Sequence, residues 1–156
     1  MEHQHTVPLL FIELEPTQKQ ISLIFPYFEH DPFPSYFLDM DVDEIREYMR
    51  ALLNTLVFLE QNGIVHRDIK PSNFLYNRKR RLYKLVDFGL SSFISDIEKS
   101  VPNTSSSKQQ HSSIHDPHLR KRIPHVVRSG TRGFRAPEIL LRCPEHQSYT
   151  IDVWSV

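Results

Sequence analysis

Only one stretch of this chain keeps a single periodicity long enough to fix an element, and it does so for about five turns of helix. Between Asp41 and Gly63 the apolar residues Ile45, Met49, Leu52, Leu56 and Leu59 recur at three- and four-residue steps, which lines them up in one stripe. Asp41 stands where a cap is needed, and Glu44, three residues on, completes a capping-box pattern. Asn62-Gly63 ends the helix, because glycine accepts the left-handed conformation past a helix terminus.

Around that helix the chain reads as short pieces. Val7 to Glu13 and Ile21 to Phe25 are strand-like, with a turn at Glu15-Pro16-Thr17-Gln18. Pro26 and Asp31-Pro32-Phe33-Pro34 stop regular structure and form a stiff connector. Ile64-Val65, Phe74 to Tyr76 and Leu82 to Val86 are further short strands. The basic run Asn77-Arg78-Lys79-Arg80-Arg81 joins the last two as a solvated hairpin turn, a reading preferred to a nucleic-acid patch. A short helix starts at Pro137, and Thr150 is placed to cap a final one. The expected fold class is α+β.

Composition narrows function by exclusion. With 39% apolar and 24% charged residues, the 156-residue chain has the make-up of one globular domain. Nineteen basic residues balance nineteen acidic ones, so no global field draws it to nucleic acid or membrane. Cys143 is the single cysteine, which excludes an internal disulfide framework and fits a reducing compartment. No apolar run is long enough to span a bilayer, and Met1 to Pro8 lacks a signal-peptide layout. Cytosol or nucleus is the expected location.

Residues from about 96 to 125 differ from the rest. Ser105-Ser106-Ser107, Lys108-Gln109-Gln110 and scattered histidines give low hydrophobicity without periodicity, the signature of a flexible insertion. His111, His115 and His118 have no thiolates or fixed scaffold beside them and read as solvated, not as metal ligands.

The chemistry sits in three segments. His66-Arg67-Asp68-Ile69-Lys70-Pro71-Ser72-Asn73 comes first, then Asp87-Phe88-Gly89, then Ala136-Pro137-Glu138. In that order they resemble the catalytic loop, the metal-binding triplet and the end of the activation segment of protein kinases. A match to one triplet is weak; the eight-residue loop with both triplets in order is specific. Phosphoryl transfer asks a protein for positioning and for neutralisation of developing charge, with little covalent work. Asn73 and Asp87 offer oxygen, the donor magnesium prefers, and Gly89 lets the backbone turn beyond Asp87.

What the resemblance implies is a bilobal kinase fold in part. Residues 1–28 would be residual N-lobe strands and hinge, and 29–156 an incomplete C-lobe carrying the insertion. Asp68 would orient the acceptor hydroxyl and take its proton, while Lys70 would set a cation beside the transferring phosphate. Asn73 and Asp87 would hold Mg2+ on bound ATP. Thr131 would bridge toward Asp68 and Lys70, which points to serine or threonine as acceptor. Arg67 would meet a phosphate or acidic group, Asp152 would brace the loop backbone, and Glu138 would pair with an arginine further along. Phe25 would guard the back of the adenine pocket, backbone groups of Tyr27 and Phe28 would bind the base, and Leu75 would close the pocket from below.

Within that superfamily, Gly63 to Asn77, Pro26-Tyr27-Phe28-Glu29-His30, Leu85 to Leu90 and Gly133 to Glu138 look like the cell-division-cycle kinases often called DDK. Those kinases act with a regulatory activating subunit. The resemblance implies nuclear phosphorylation of the replicative MCM helicase at sites with acidic flanks. Arg132 departs from the proline more usual there, and with Arg128 and Arg135 it makes the segment basic enough to select acidic or phosphorylated flanks. No glycine precedes Gly63, so a glycine loop and the strand lysine with its glutamate partner are expected to be missing, and the fragment alone to be inactive. Two other readings stand beside this one: a truncated regulatory or scaffold protein that occupies a kinase partner without catalysis, and a casein-kinase-like branch.

Overall fold

The computed structural model describes residues 3–15, 20–99, 130–143 and 147–156. Its centre is helix α1 (Val42–Gln61), packed on the antiparallel hairpin of β4 (Phe74–Asn77) and β5 (Leu82–Leu85). Upstream, β1 (Phe11–Glu15) and β2 (Gln20–Ile24) pair antiparallel in their own ladder. Between helix and hairpin lies β3 (Ile64–Val65), which pairs antiparallel with β6 (Ser92–Phe93). Three short α-helices lie downstream, α2 (Ile94–Lys99), α3 (Pro137–Leu140) and α4 (Thr150–Trp154), and single 3-10 turns occur at Phe33–Ser35, Pro71–Asn73 and Phe88–Leu90. Short strands with segregated helices make this an α+β chain.

The cap of α1 is half of the box expected. Asp41 Oδ1 accepts from the Glu44 amide at 2.7 Å, but the Glu44 side chain does not return to the cap. It turns inward, is 2% exposed, and accepts from the Tyr76 hydroxyl at 2.7 Å and from Arg78 Nε and Nη2 at 2.9 Å each. The bidentate pair explains how a carboxylate enters the core: both oxygens are satisfied by donors that arrive with it. It also corrects the reading of the hairpin turn. Lys79 and Arg80 are exposed as expected, whereas Arg78 and Arg81 reach back to Glu44.

This rotation changes the buried face of α1. Leu52, Leu56 and Leu59 are buried as the periodicity predicts, joined by Tyr48, Ala51 and Thr55, while Ile45 is 46% exposed. Tyr48 is buried edge-on against Phe74, Tyr76 and Tyr83, so the core is an aromatic stack rather than an aliphatic layer. Thr55 is tolerated mid-helix because its hydroxyl donates to the Ala51 carbonyl at 2.7 Å.

Other boundaries shift slightly. The first strand starts at Phe11 instead of Val7, because Thr6 bridges Leu85 and the His5 carbonyl accepts from the Leu85 amide at 2.7 Å. The turn at 16–18 lies outside the described residues, as do 100–129 and with them the three histidines and Arg128. Residues 96–99, expected in the insertion, belong to α2. Thr150 is the first residue of α4 without a capping bond of its own; the Ser148 hydroxyl accepts from the Thr150 amide at 3.3 Å instead. No helix among the described residues is long and apolar enough to cross a membrane.

Candidate active site

The loop from His66 to Asn73 leaves β3 and is pinned from three sides. Asp152, the third residue of α4, is 4% exposed and accepts from the backbone amides of His66 and Arg67, at 2.7 Å to each oxygen. With those two bonds Arg67 sits at φ 71°, a left-handed conformation costing a non-glycine residue about 1–3 kcal/mol. His66 is fully buried; its Nδ1 accepts from the Asp68 amide at 3.3 Å, so Nε2 carries the proton and donates to the Val86 carbonyl at 3.1 Å. Burial keeps this imidazole below its ordinary pKa, against the pull of Asp152 and Asp68.

Those constraints deliver Asp68 into a closed set of donors. Lys70 Nζ lies 2.7 Å from Asp68 Oδ2 and 2.7 Å from Thr131 Oγ1. Thr131 donates to Asp68 Oδ1 at 2.6 Å, and Asn73 Nδ2 donates to Asp68 Oδ2 at 3.1 Å and to its carbonyl at 2.9 Å. Burial alone would raise the Asp68 pKa; hydrogen bonds from Lys70, Thr131 and Asn73 outweigh it and hold the carboxyl below the usual range. A carboxylate has about four acceptor positions, and three donors fill three of them. Among the described residues, the position left without a donor is on Oδ1.

Asp87 follows β5 at φ 63° and ψ 70°, with Oδ1 accepting from the Gly89 amide at 3.3 Å. The Val86 amide donates to the Asn73 carbonyl at 2.9 Å, so the residue before Asp87 and Asn73 are joined by one backbone bond. Since Asn73 Nδ2 is committed to Asp68, its Oδ1 remains as an acceptor. One amide oxygen and one carboxylate on adjoining backbone fit Mg2+, which is commonly held by one or two protein carboxylates together with substrate phosphates. Among the described residues there is no cluster of three or more histidine, cysteine, aspartate or glutamate side chains of the kind that binds a metal by itself.

The residues expected on the adenine side occupy a separate segment. Phe25 is 48% and Tyr27 88% exposed, and the Phe28 carbonyl is 3.0 Å from His30 Nδ1. Leu75 is half-buried on β4. The two are tied through their neighbours: Asp31 N donates to the Tyr76 carbonyl at 2.8 Å, and Asn77 Nδ2 to the Glu29 carbonyl at 3.0 Å. Arg67 Nη1 donates to Ser92 Oγ at 2.9 Å, and Glu138 Oε1 accepts from Thr150 Oγ1 at 3.4 Å. Arg132 is exposed and Arg135 Nε donates to the Gly130 carbonyl at 2.9 Å.

Sequence reasoning gave His66 and Gly130 no role of their own. Gly130 has φ +85°, and a Cβ there would stand 3.0 Å from the Arg67 carbonyl, so the segment carrying Thr131 approaches the loop too closely for a side chain. A glycine directly before the bridging threonine was the available signal.

Asp68 thus stands among a lysine, a threonine and an asparagine, and Asn73 is joined by one backbone bond to the residue before Asp87. The protein kinase domain family matches residues 1–156, and the chain belongs to it. It is 34% identical to the cell cycle protein kinase spo4 of Schizosaccharomyces pombe, over 89% of this chain and 37% of that protein. It is 49% identical to the non-specific serine/threonine protein kinase Cdc7 of Drosophila melanogaster, over 47% of this chain and 10% of that one. A probable casein kinase II subunit alpha homolog of Encephalitozoon cuniculi is 30% identical over 99% of this chain and 40% of its own length. Over the long alignments, then, the chain spans about two fifths of its relatives.

Proposed function

We propose that the protein carrying these residues transfers the γ-phosphoryl group of ATP to serine or threonine hydroxyls of protein substrates. The observation that supports this most is the hydrogen-bonded group of Asp68, Lys70, Thr131 and Asn73. Bound MgATP supplies the phosphoryl group and the metal charge that offsets its phosphates. The free acceptor position on Asp68 Oδ1 aligns the substrate hydroxyl and receives its proton. A carboxylate held well ionised is a weak base, which suits a loose transition state where the proton leaves late. Lys70 keeps its ammonium beside the same carboxylate and stabilises negative charge as it shifts. Asn73 and Asp87 would hold Mg2+, while Phe25, the Tyr27 and Phe28 backbone and Leu75 would hold the base.

The resemblance to Cdc7-type kinases extends the reading. Its substrates are replication-initiation proteins, MCM helicase subunits among them, at sites with acidic flanks; its partner is a regulatory activating subunit; its place is the nucleus. The 156 residues alone are expected to be inactive, because they contain no glycine ahead of Gly63 to fold over the phosphates. The test is phosphoryl transfer by the purified full-length gene product, with its co-purifying subunit, to matched serine and tyrosine peptides. Transfer to serine that Asp68→Asn lowers by about a hundredfold or more supports the proposal; transfer unaffected by Asp68→Asn refutes it.

A further inference from the structure

His30 follows the segment expected to hold the base, and both of its chain neighbours are tied to the β4–β5 hairpin. The Glu29 carbonyl accepts from Asn77 Nδ2 at 3.0 Å. The Asp31 amide donates to the Tyr76 carbonyl at 2.8 Å, and Asp31 Oδ2 accepts from the Arg78 amide at 2.8 Å. Tyr76 and Asn77 are both buried, so these anchors belong to the core. Between them the exposed His30 ring folds back along the chain, with Nδ1 3.0 Å from the Phe28 carbonyl oxygen. A carbonyl oxygen can only accept, so Nδ1 carries the proton and donates. One lone pair of the Phe28 carbonyl is thereby taken by a side chain whose backbone is fixed on either side.

That carbonyl matters because purines differ in what they ask of a backbone. On its pairing edge adenine shows one amino donor beside the N1 acceptor, while guanine shows two adjacent donors, N1–H and the N2 amino group, beside O6. One N–H and one C=O therefore serve adenine, whereas guanine needs acceptor capacity for a second donor. A carbonyl has two acceptor positions, and His30 fills one of them at Phe28. A base donor that displaces the imidazole forfeits the hydrogen bond it breaks. We propose that His30 is a positioning residue of the nucleotide site, and that its bond to the Phe28 carbonyl biases the site toward adenine over guanine nucleotides. The inference rests on the kinase reading above, in which the Tyr27 and Phe28 backbone holds the base. To that reading it adds a side chain that acts through the backbone and sets which base is accepted.

The test measures ADP and GDP binding by isothermal titration to the full-length gene product as wild type, His30→Ala and His30→Asn. The readout is the ratio of the two dissociation constants for each protein, so a general loosening of the site cancels. His30→Ala removes the donor and frees the carbonyl, and GDP is expected to gain on ADP by about fivefold, the worth of one neutral hydrogen bond. His30→Asn sets an amide nitrogen where Nδ1 stood, bonded to Cγ as Nδ1 was, and is expected to keep the wild-type ratio. The kcat/KM values for MgGTP and MgATP are expected to shift in the same sense. A ratio unchanged in His30→Ala, or shifted equally in His30→Asn, overturns the proposal and leaves the kinase reading standing. A wild type that binds neither nucleotide overturns both.

Discussion

At the scale of single residues, the site is held by backbone conformations that its sequence tolerates only with help. Arg67 and Asp87 are both left-handed, and each sits beside a designed compensation: the Asp152 carboxylate under one, the Gly89 amide on the other. Replacing Gly130 by alanine drives a Cβ to 3.0 Å from the Arg67 carbonyl at a positive φ, so Gly130→Ala should cost about 1–2 kcal/mol and displace Thr131 from Asp68. Thermal unfolding and peptide kinetics together check this; a variant with unchanged midpoint and unchanged kcat would contradict the close approach. For Asp68→Asn, which keeps the shape but loses the proton acceptor, kcat should fall about 10²–10⁴-fold while nucleotide affinity stays near the wild-type value. Isothermal titration with a non-hydrolysable ATP analogue separates the two effects.

At the scale of elements, the decisive contact is between the first turn of α1 and the β4–β5 hairpin. Hydrogen bonds from Arg78, then from Tyr76, hold the Glu44 carboxyl below the usual carboxylate range despite its burial. A folded-state pKa below the unfolded one means the unfolded chain binds the proton first as pH falls. The contribution of Glu44 is therefore complete above about pH 4.3, and acid removes it progressively down through the lower folded pKa. Glu44→Gln should destabilise the chain by about 1–3 kcal/mol at neutral pH and flatten this acid limb. Urea unfolding at pH 7 and at pH 3 measures both; a mutant whose deficit is the same at both pH values would disprove the assignment. This element also shows what was legible beforehand. The length of α1, its Asp41 cap and its Gly63 stop followed from local chemistry and stand in the fold. Its buried face followed only in part: Leu52, Leu56 and Leu59 are inside as expected, but Glu44 and Tyr48 are too, because a carboxylate and a tyrosine count as polar until their partners are known, and Arg78 lies 34 positions from Glu44. The letters of the loop were readable for the opposite reason: His66 to Asn73 are adjacent in sequence, and it is their links to Thr131 and Asp152 that span the longest separations.

At the scale of the whole molecule, the core is concentrated around α1 and the hairpin, while β1 and β2 expose apolar side chains such as Leu14 at 65% and Ile21 at 64%. Leu141 and Trp154 are likewise open, at 74% and 61%. Apolar surface left in water forgoes about 25 cal/mol per Å² of stabilisation. A polypeptide of these 156 residues should accordingly bind an apolar dye and unfold early, with both effects reduced in the full-length gene product. Equal dye binding by the two would count against the incomplete-core reading. The central proposal is narrower: Asn73 and Asp87 would hold a nucleotide-bound metal next to Asp68 and Lys70. Its most direct test is the anomalous diffraction of Mn2+ in crystals of the full-length protein with a non-hydrolysable ATP analogue. The account predicts a manganese peak coordinated by Asn73 Oδ1 and an Asp87 carboxylate oxygen; a peak elsewhere, with Asp87 turned away from the nucleotide, would contradict it.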